Sequence, residues 1–300
     1  MNCGLYTDSF FRWHIESYLF IFMPWFYFKA GMLYHPASSF SSLLHKQIVK
    51  LGYPYLVWNV ICIIVTMPLY LYNEPISKAL ENIGLFLLFG NRGDVPANVV
   101  LWFLVSLFSV YMIVPLIKKN HLRWITVFAI MATLNSQLHF PWMPFCTKSL
   151  FLALFFFELG VYIGKTNITL KRVNLLMLAM VYIALVSIYP QLLNFRQGYM
   201  QHGVIPIMFV YSILAFVIIF NLTRYKLKCK PLEYIGRNSM VFYVSHIIPI
   251  NVVKLHYQNY PPPVGCTGYE QLIFMVIGLF LIFAIQIFFM KHTKWLYKYN

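Results

Sequence analysis

Charge is what this sequence has least of. Only 10% of its 300 residues are Asp, Glu, Lys or Arg, and eight of them are acidic, whereas a soluble domain carries about 25% charged residues. With 60% hydrophobic residues and a mean hydropathy of +0.68, a water-facing globule is excluded, so the bilayer must be the solvent for most of the chain. Cysteine is poor in pattern as well as number. Cys3, Cys62, Cys146, Cys229 and Cys266 show no CxxC, no paired spacing and no neighbouring histidines. That excludes a disulfide framework and a zinc site, and no metal is expected; a single Cys146–Cys266 bridge is the one pairing left open. Internal repeats and low-complexity linkers are also missing, so residues 1–300 read as one domain.

What is present is apolar length. A helix needs about 20 apolar residues to cross the hydrocarbon core, and nine runs qualify: 15–34, 51–72, 98–117, 122–140, 149–165, 172–193, 203–222, 239–255 and 270–291. The fold class is therefore all-α, a polytopic transmembrane helical bundle of about nine spans. The shorter run 82–90, between Glu81 and Arg92, is expected to be interfacial or re-entrant.

The positive charge tests this map. One alternating set of connections holds sixteen Lys and Arg, among them Lys46, Lys50, Lys118, Lys119, Arg123, Lys165, Lys171, Arg172 and the tract "RYKLKCK" at 224–230. The other set holds six: Arg12, Lys78, Arg92, Lys148, Arg196 and Lys254. Because cytoplasmic connections are the basic ones, this split places the C-terminus in the cytoplasm and the N-terminus outside, in a multi-pass protein of a bacterial inner membrane. No nucleic-acid partner is expected; lipid headgroups at the inner face are the natural contact of the basic tract.

Ionisable groups inside a span cost about 2.5–3.5 kcal/mol each on insertion scales, which makes them functional candidates. Three stand well inside: Lys29, Glu158 and His246. Counting residues from the inner helix ends puts all three roughly 7–11 Å below the cytoplasmic face. A cation, an acid and an imidazole at one depth is what a polar cavity open to the cytoplasm would show. The plainer alternatives are snorkelling of Lys29, a structural ion pair of Glu158 with Lys29, or hydrogen bonds within the bundle. Asn59, Asn135 and His139 read as helix-packing groups, and the small pair Ala30–Gly31 as a place of close approach.

Five segments resemble a known family in its own order. "FIFMPWFYFKAGMLY" is similar to the second-helix stretch of the membrane-bound acyltransferase 3 family, of the form FhMPlFfflSGy. "KQIVKLGYPYLVW" resembles the basic, Tyr/Pro-containing lead into its third helix. "LWFLVSLF" resembles its Trp-Phe-Leu span, "FFFELGVYIG" its Gly-x-x-x-Gly helix, and "LEYIGRNSMVFYVSH" its segment near the C-terminus. Phe22 stands where the family has His, Ala30 where it has Ser, and Lys50 where Arg is common.

The resemblance implies an enzyme, an O-acyltransferase that takes an acetyl group from acetyl-CoA bound from the cytoplasmic side and esterifies, on or near the outer face, a hydroxyl of a cell-surface or exported polysaccharide or a lipid-linked glycan. Lys50, Tyr53 and Arg237 are the expected contacts to the donor, whose phosphates call for basic groups. Lys29, Glu158 and His246 are the expected catalytic-cavity residues, His being the usual general base. The family's first helix, which carries an arginine and then a histidine taken as the base, has no counterpart before the second-helix stretch. The chain is therefore expected to lack that helix, and its activity as given is in question. Two other classes fit the same composition: a polysaccharide transporter or polymerase, and a non-catalytic membrane subunit.

Overall fold

The computed structural model describes residues 17–18, 20–36, 39–90, 92–117, 120–138, 144–145, 147–165, 171–222, 233–234, 236, 239–248 and 251. The chain is mostly helical. Its elements in order are α1 (Phe22–Met32), α2 (Phe40–Gln47), a π-helical turn (Ile48–Gly52), α3 (Tyr53–Tyr70), α4 (Ile76–Phe89), a 3-10 turn (Val99–Leu101), α5 (Trp102–Ile113), a 3-10 turn (Val114–Leu116), α6 (His121–Leu138), α7 (Thr147–Gly164), α8 (Arg172–Ile188), β1 (Leu192–Asn194), β2 (Tyr199–His202), α9 (Ile205–Leu222) and α10 (Ser239–Ser245). The chain divides into two units, one of residues 1–39 and 109–227, the other of residues 40–108 and 228–300.

Among the described residues three helices are long and apolar enough to cross a membrane: Phe40–Tyr70, Val99–Leu116 and Ile205–Leu222; Val173–Ile188 is a shorter apolar helix. Two of the three fall within a few residues of the expected spans 98–117 and 203–222. The helix expected over 51–72 begins instead at Phe40 and runs for 31 residues. The basic stretch around Lys46 and Lys50, read from sequence as a loop, is helical. What joins α2 to α3 is the π turn, where the amide of Tyr53 bonds to the carbonyl of Ile48. Pro54 explains it: a proline brings no N–H and its ring crowds the carbonyl four residues back, and one widened turn relieves that crowding without ending the helix. The expected span 239–255 is described only in part, and 270–291 lies outside the described residues. Residues 82–89 belong to α4, 14 residues long and ended by Gly90, too short to span.

In the first unit α7 is the central element. Leu152 to Glu158 are all buried, and seven consecutive residues cover every face of a helix that turns in 3.6. Phe155 stacks on Phe209 of α9 with ring centroids 3.9 Å apart, and Phe156 and Phe28 both pack on Phe216. Helix α1 crosses α7 with their backbones in contact. A Cβ on Gly31 would fall on the carbonyl of Phe157, and one on Gly160 would fall on the carbonyl of Phe28. Glycine at both positions lets the two backbones touch, as small residues do where helices pack in lipid.

Between α8 and α9 the chain forms a feature the span map did not contain, an antiparallel hairpin of β1 and β2. Its turn needs Gly198, at φ +72°, and Asn135 of α6 secures it, donating to the carbonyl of Lys148 at 2.8 Å and approaching that of Gly198 at 3.4 Å. Asn135 is thus the packing group that the sequence suggested.

In the second unit, the segment before α5 is irregular yet buried, with Val95, Ala97, Asn98 and Leu101 at 5% exposure or less. Non-helical backbone at such depth must have its polar groups satisfied by protein. Side chains from the helices supply the partners. The Thr66 hydroxyl is shared between the carbonyl of Cys62 at 2.8 Å and that of Pro96 at 3.2 Å, Asn82 donates to that of Val95 at 3.2 Å, and Asn59 accepts from the amide of Asn98 at 3.1 Å.

Candidate functional site

The sequence of α7 sets a carboxylate in its apolar run, and the fold decides what surrounds it. Glu158 is 0% exposed. Its Oε2 lies 2.8 Å from Nδ1 of His121, the first residue of α6. The other imidazole nitrogen, Nε2, lies 3.0 Å from Nζ of Lys165, just past the end of α7. The lysine ammonium can only donate, so Nε2 accepts and the ring proton sits on Nδ1, donated to Glu158. The three side chains thus run from a sealed carboxylate, through an imidazole 27% exposed, to an exposed ammonium.

Glu158 Oε1 is buried with no hydrogen-bond partner. Beside the carboxylate, Phe157 meets Tyr34 and Tyr111 edge-on at 5.5 and 5.4 Å. A fully buried carboxyl group in an apolar run is costly to hold, so the group is maintained against a stability cost.

Of the residues expected from sequence, Glu158 and Lys29 lie in the same unit but do not pair. Phe28, Gly31 and Met32 are the residues of α1 set against α7, while Lys29 is exposed. The partner of Glu158 is His121, which sequence reasoning missed because it sits at the edge of an apolar run, among loop cations. Its one signal was a histidine opening a helix on the basic side.

His246 lies in the second unit, half-buried just after α10. Its ring is 5.9 Å from that of Tyr243, which donates to the carbonyl of Val100 at 2.8 Å. Nearby in the same unit Asn98 donates to the carbonyl of Val244 at 2.9 Å, and its buried Oδ1 has no partner. Lys46, Lys50 and Tyr53 are all exposed within two turns of the long helix from Phe40. Arg237, Cys146 and Cys266 lie outside the described residues.

A family model described as an acyltransferase domain, that of acyltransferase 3, matches residues 3–291. The chain belongs to the acyltransferase 3 family. It is therefore a membrane acyltransferase, and the match takes in both units with their polar groups. No curated protein and no solved structure matches the chain. For an acyltransferase of this family, a carboxylate-held imidazole is chemically apt. Acyl transfer to a hydroxyl needs a base for the hydroxyl proton, and a third group that fixes the ring makes that base competent.

Proposed function

We propose that this acyltransferase moves an acetyl group from acetyl-CoA to a hydroxyl of a cell-surface or exported polysaccharide, met free or as a lipid-linked glycan. The observation that supports the donor is the placing of Lys46, Lys50 and Tyr53. They project from a continuous helix rather than a loop, so cationic groups for a phosphate-bearing ligand and an aromatic ring beside them are held by rigid backbone. Fixing the backbone that carries the two lysines in advance lowers the entropy lost when an anion binds. Arg237 is the further phosphate contact, and Lys29 and Glu158 of the first unit and His246 of the second remain candidate catalytic groups, each considered within its own unit. In the bacterial inner membrane, with the C-terminus cytoplasmic, these lysines face the side where the thioester is made.

Membrane vesicles containing the protein, given acetyl-CoA labelled in the acetyl group, test this directly. Label in the glycan fraction, released by mild alkali as an ester would be, is the expected result. A chain that moves or lengthens glycan without taking up label is instead the transporter or polymerase considered from composition, and a chain that does neither is a non-catalytic subunit.

A further inference from the structure

We propose that the hairpin of β1 and β2 recognises the acceptor, binding a carboxylate-bearing stretch of the glycan through the cations Arg196 and Lys148 and the rings of Tyr189 and His202. This rests on the glycan acceptor proposed above and on the loop charges, which put this connection at the outer face. The connection runs from Tyr189 to Val204, far more chain than joining two helices needs, and it is pinned along its length. Phe195 turns inward, 5% exposed, and stacks on the buried ring of Tyr27 with centroids 5.2 Å apart. At the turn, Gly198 lies on the carbonyl of Lys148. At the open end, the buried Gln191 accepts from the amide of Val204 at 3.1 Å, and its side chain fills the space where a Cβ on Gly203 would stand. Binding residues are carried on loops held in this way by a rigid scaffold, and a fixed backbone loses little entropy when a ligand docks.

The pinned backbone presents two kinds of group. Tyr189, Gln201 and His202 are exposed, and the rings of Tyr189 and His202 stand 6.0 Å apart at 48°. Their apolar faces suit the C–H face of a sugar ring, and the Gln201 amide both donates to and accepts from hydroxyls. Arg196 and Lys148, both half-buried, flank the turn at Gly198. The only acid among the described residues of this unit is Glu158, buried ten residues further along α7, so the described surface at the turn is positively charged. A guanidinium takes a carboxylate in two parallel bonds, which makes an acidic sugar the complementary unit. Roughly 10 Å of strand separates the ring pair from the turn, so the surface takes neighbouring sugars of a chain rather than a single one.

The test uses the full chain in phosphatidylcholine nanodiscs, which leave both faces open. The probe is the host's exported glycan, freed of acetyl esters by mild alkali, either as isolated or with its carboxylates reduced to alcohols. Binding of the fluorescently labelled glycan should be about tenfold or more tighter for the unreduced form. Arg196→Gln should abolish that preference and, with labelled acetyl-CoA, raise the glycan KM about tenfold or more while the acetyl-CoA KM stays unchanged, a split that a merely structural role would not give. Arg196→Lys, which keeps the charge, should retain part of the preference, and Lys148→Gln, which leaves the turn sequence intact, should reduce it severalfold. Equal binding of the two glycan forms by the unaltered protein, a preference that Arg196→Gln and Lys148→Gln both keep, or displacement of the glycan by added phosphatidylglycerol overturns the inference, the last by making the surface an anionic-lipid site. Label that still reaches the glycan in those cases leaves the function proposed above standing. Selective glycan binding with no transfer of label overturns that function and keeps the hairpin as a glycan-binding surface.

Discussion

Gly160 of α7 lies directly against the backbone carbonyl of Phe28 in α1, and the reciprocal contact of Gly31 with Phe157 makes the crossing too close for any side chain on either glycine. This crossing packs α1 onto the helix that carries Glu158 two residues away. A methyl at Gly31 or Gly160 has backbone to displace rather than a flexible side-chain end, so Gly31→Ala and Gly160→Ala should each destabilise by about 1–3 kcal/mol. Gly84 of α4 is the control, since a Cβ there meets nothing within 4 Å. Gly84→Ala should be neutral or stabilising by up to about 1 kcal/mol. Melting in detergent followed by size-exclusion retention compares the three, and equal behaviour would contradict the packing described.

The buried irregular segment before α5 depends on helix side chains for its hydrogen bonds. Thr66→Val retains shape but leaves the Pro96 carbonyl without its donor, and Asn82→Leu does the same to Val95. Each is expected to cost about 1–3 kcal/mol. Because both serve adjoining carbonyls, a double-mutant cycle should show coupling of about 0.5 kcal/mol or more; strict additivity would mean the two bonds hold the segment independently.

Asn135 joins α6 to the start of α7 and to the hairpin turn. Asn135→Leu should leave the Lys148 carbonyl unsatisfied and lower stability by about 1–3 kcal/mol. It should also speed protease cleavage in the 192–202 hairpin. Cleavage at an unchanged rate would show that the hairpin stands without it.

Lys46 and Lys50 are exposed, and replacing them by Gln should change stability little. If they meet the donor phosphates, the double variant raises the KM for acetyl-CoA about tenfold or more with kcat little changed, the loss of charge-assisted bonds being worth about 1.5–3 kcal/mol. Unchanged KM with unchanged kcat would remove them from the donor site.

The sequence disclosed the large features because they follow from composition: helices, a membrane solvent, and the limits of the spans near 98–117 and 203–222, where polar loops interrupt apolar runs. It also disclosed local chemistry that needs only near neighbours, such as Ala30–Gly31 as a place of close approach and Asn59 and Asn135 as packing groups. What stayed hidden depends on partners distant in the chain. His121 and Glu158 are 37 residues apart, and nothing near either names the other. The helical state of 40–50 was obscured because Ser41, Ser42, Lys46 and Lys50 look like a solvated loop, while the π turn that absorbs Pro54 has no pattern of its own. The hairpin at 192–202 was announced only by "NFRQG" ahead of Tyr199, a turn signal in what was counted simply as the connection between two spans.

The central claim, acyl transfer to a glycan hydroxyl, is tested most directly by deleting the gene in its host and measuring O-acetyl ester on the envelope and exported glycans by proton NMR, with this chain then supplied in trans. The account predicts that one acetyl-ester signal disappears on deletion and returns with the chain. An acetyl-ester content that is the same with and without the gene would contradict it.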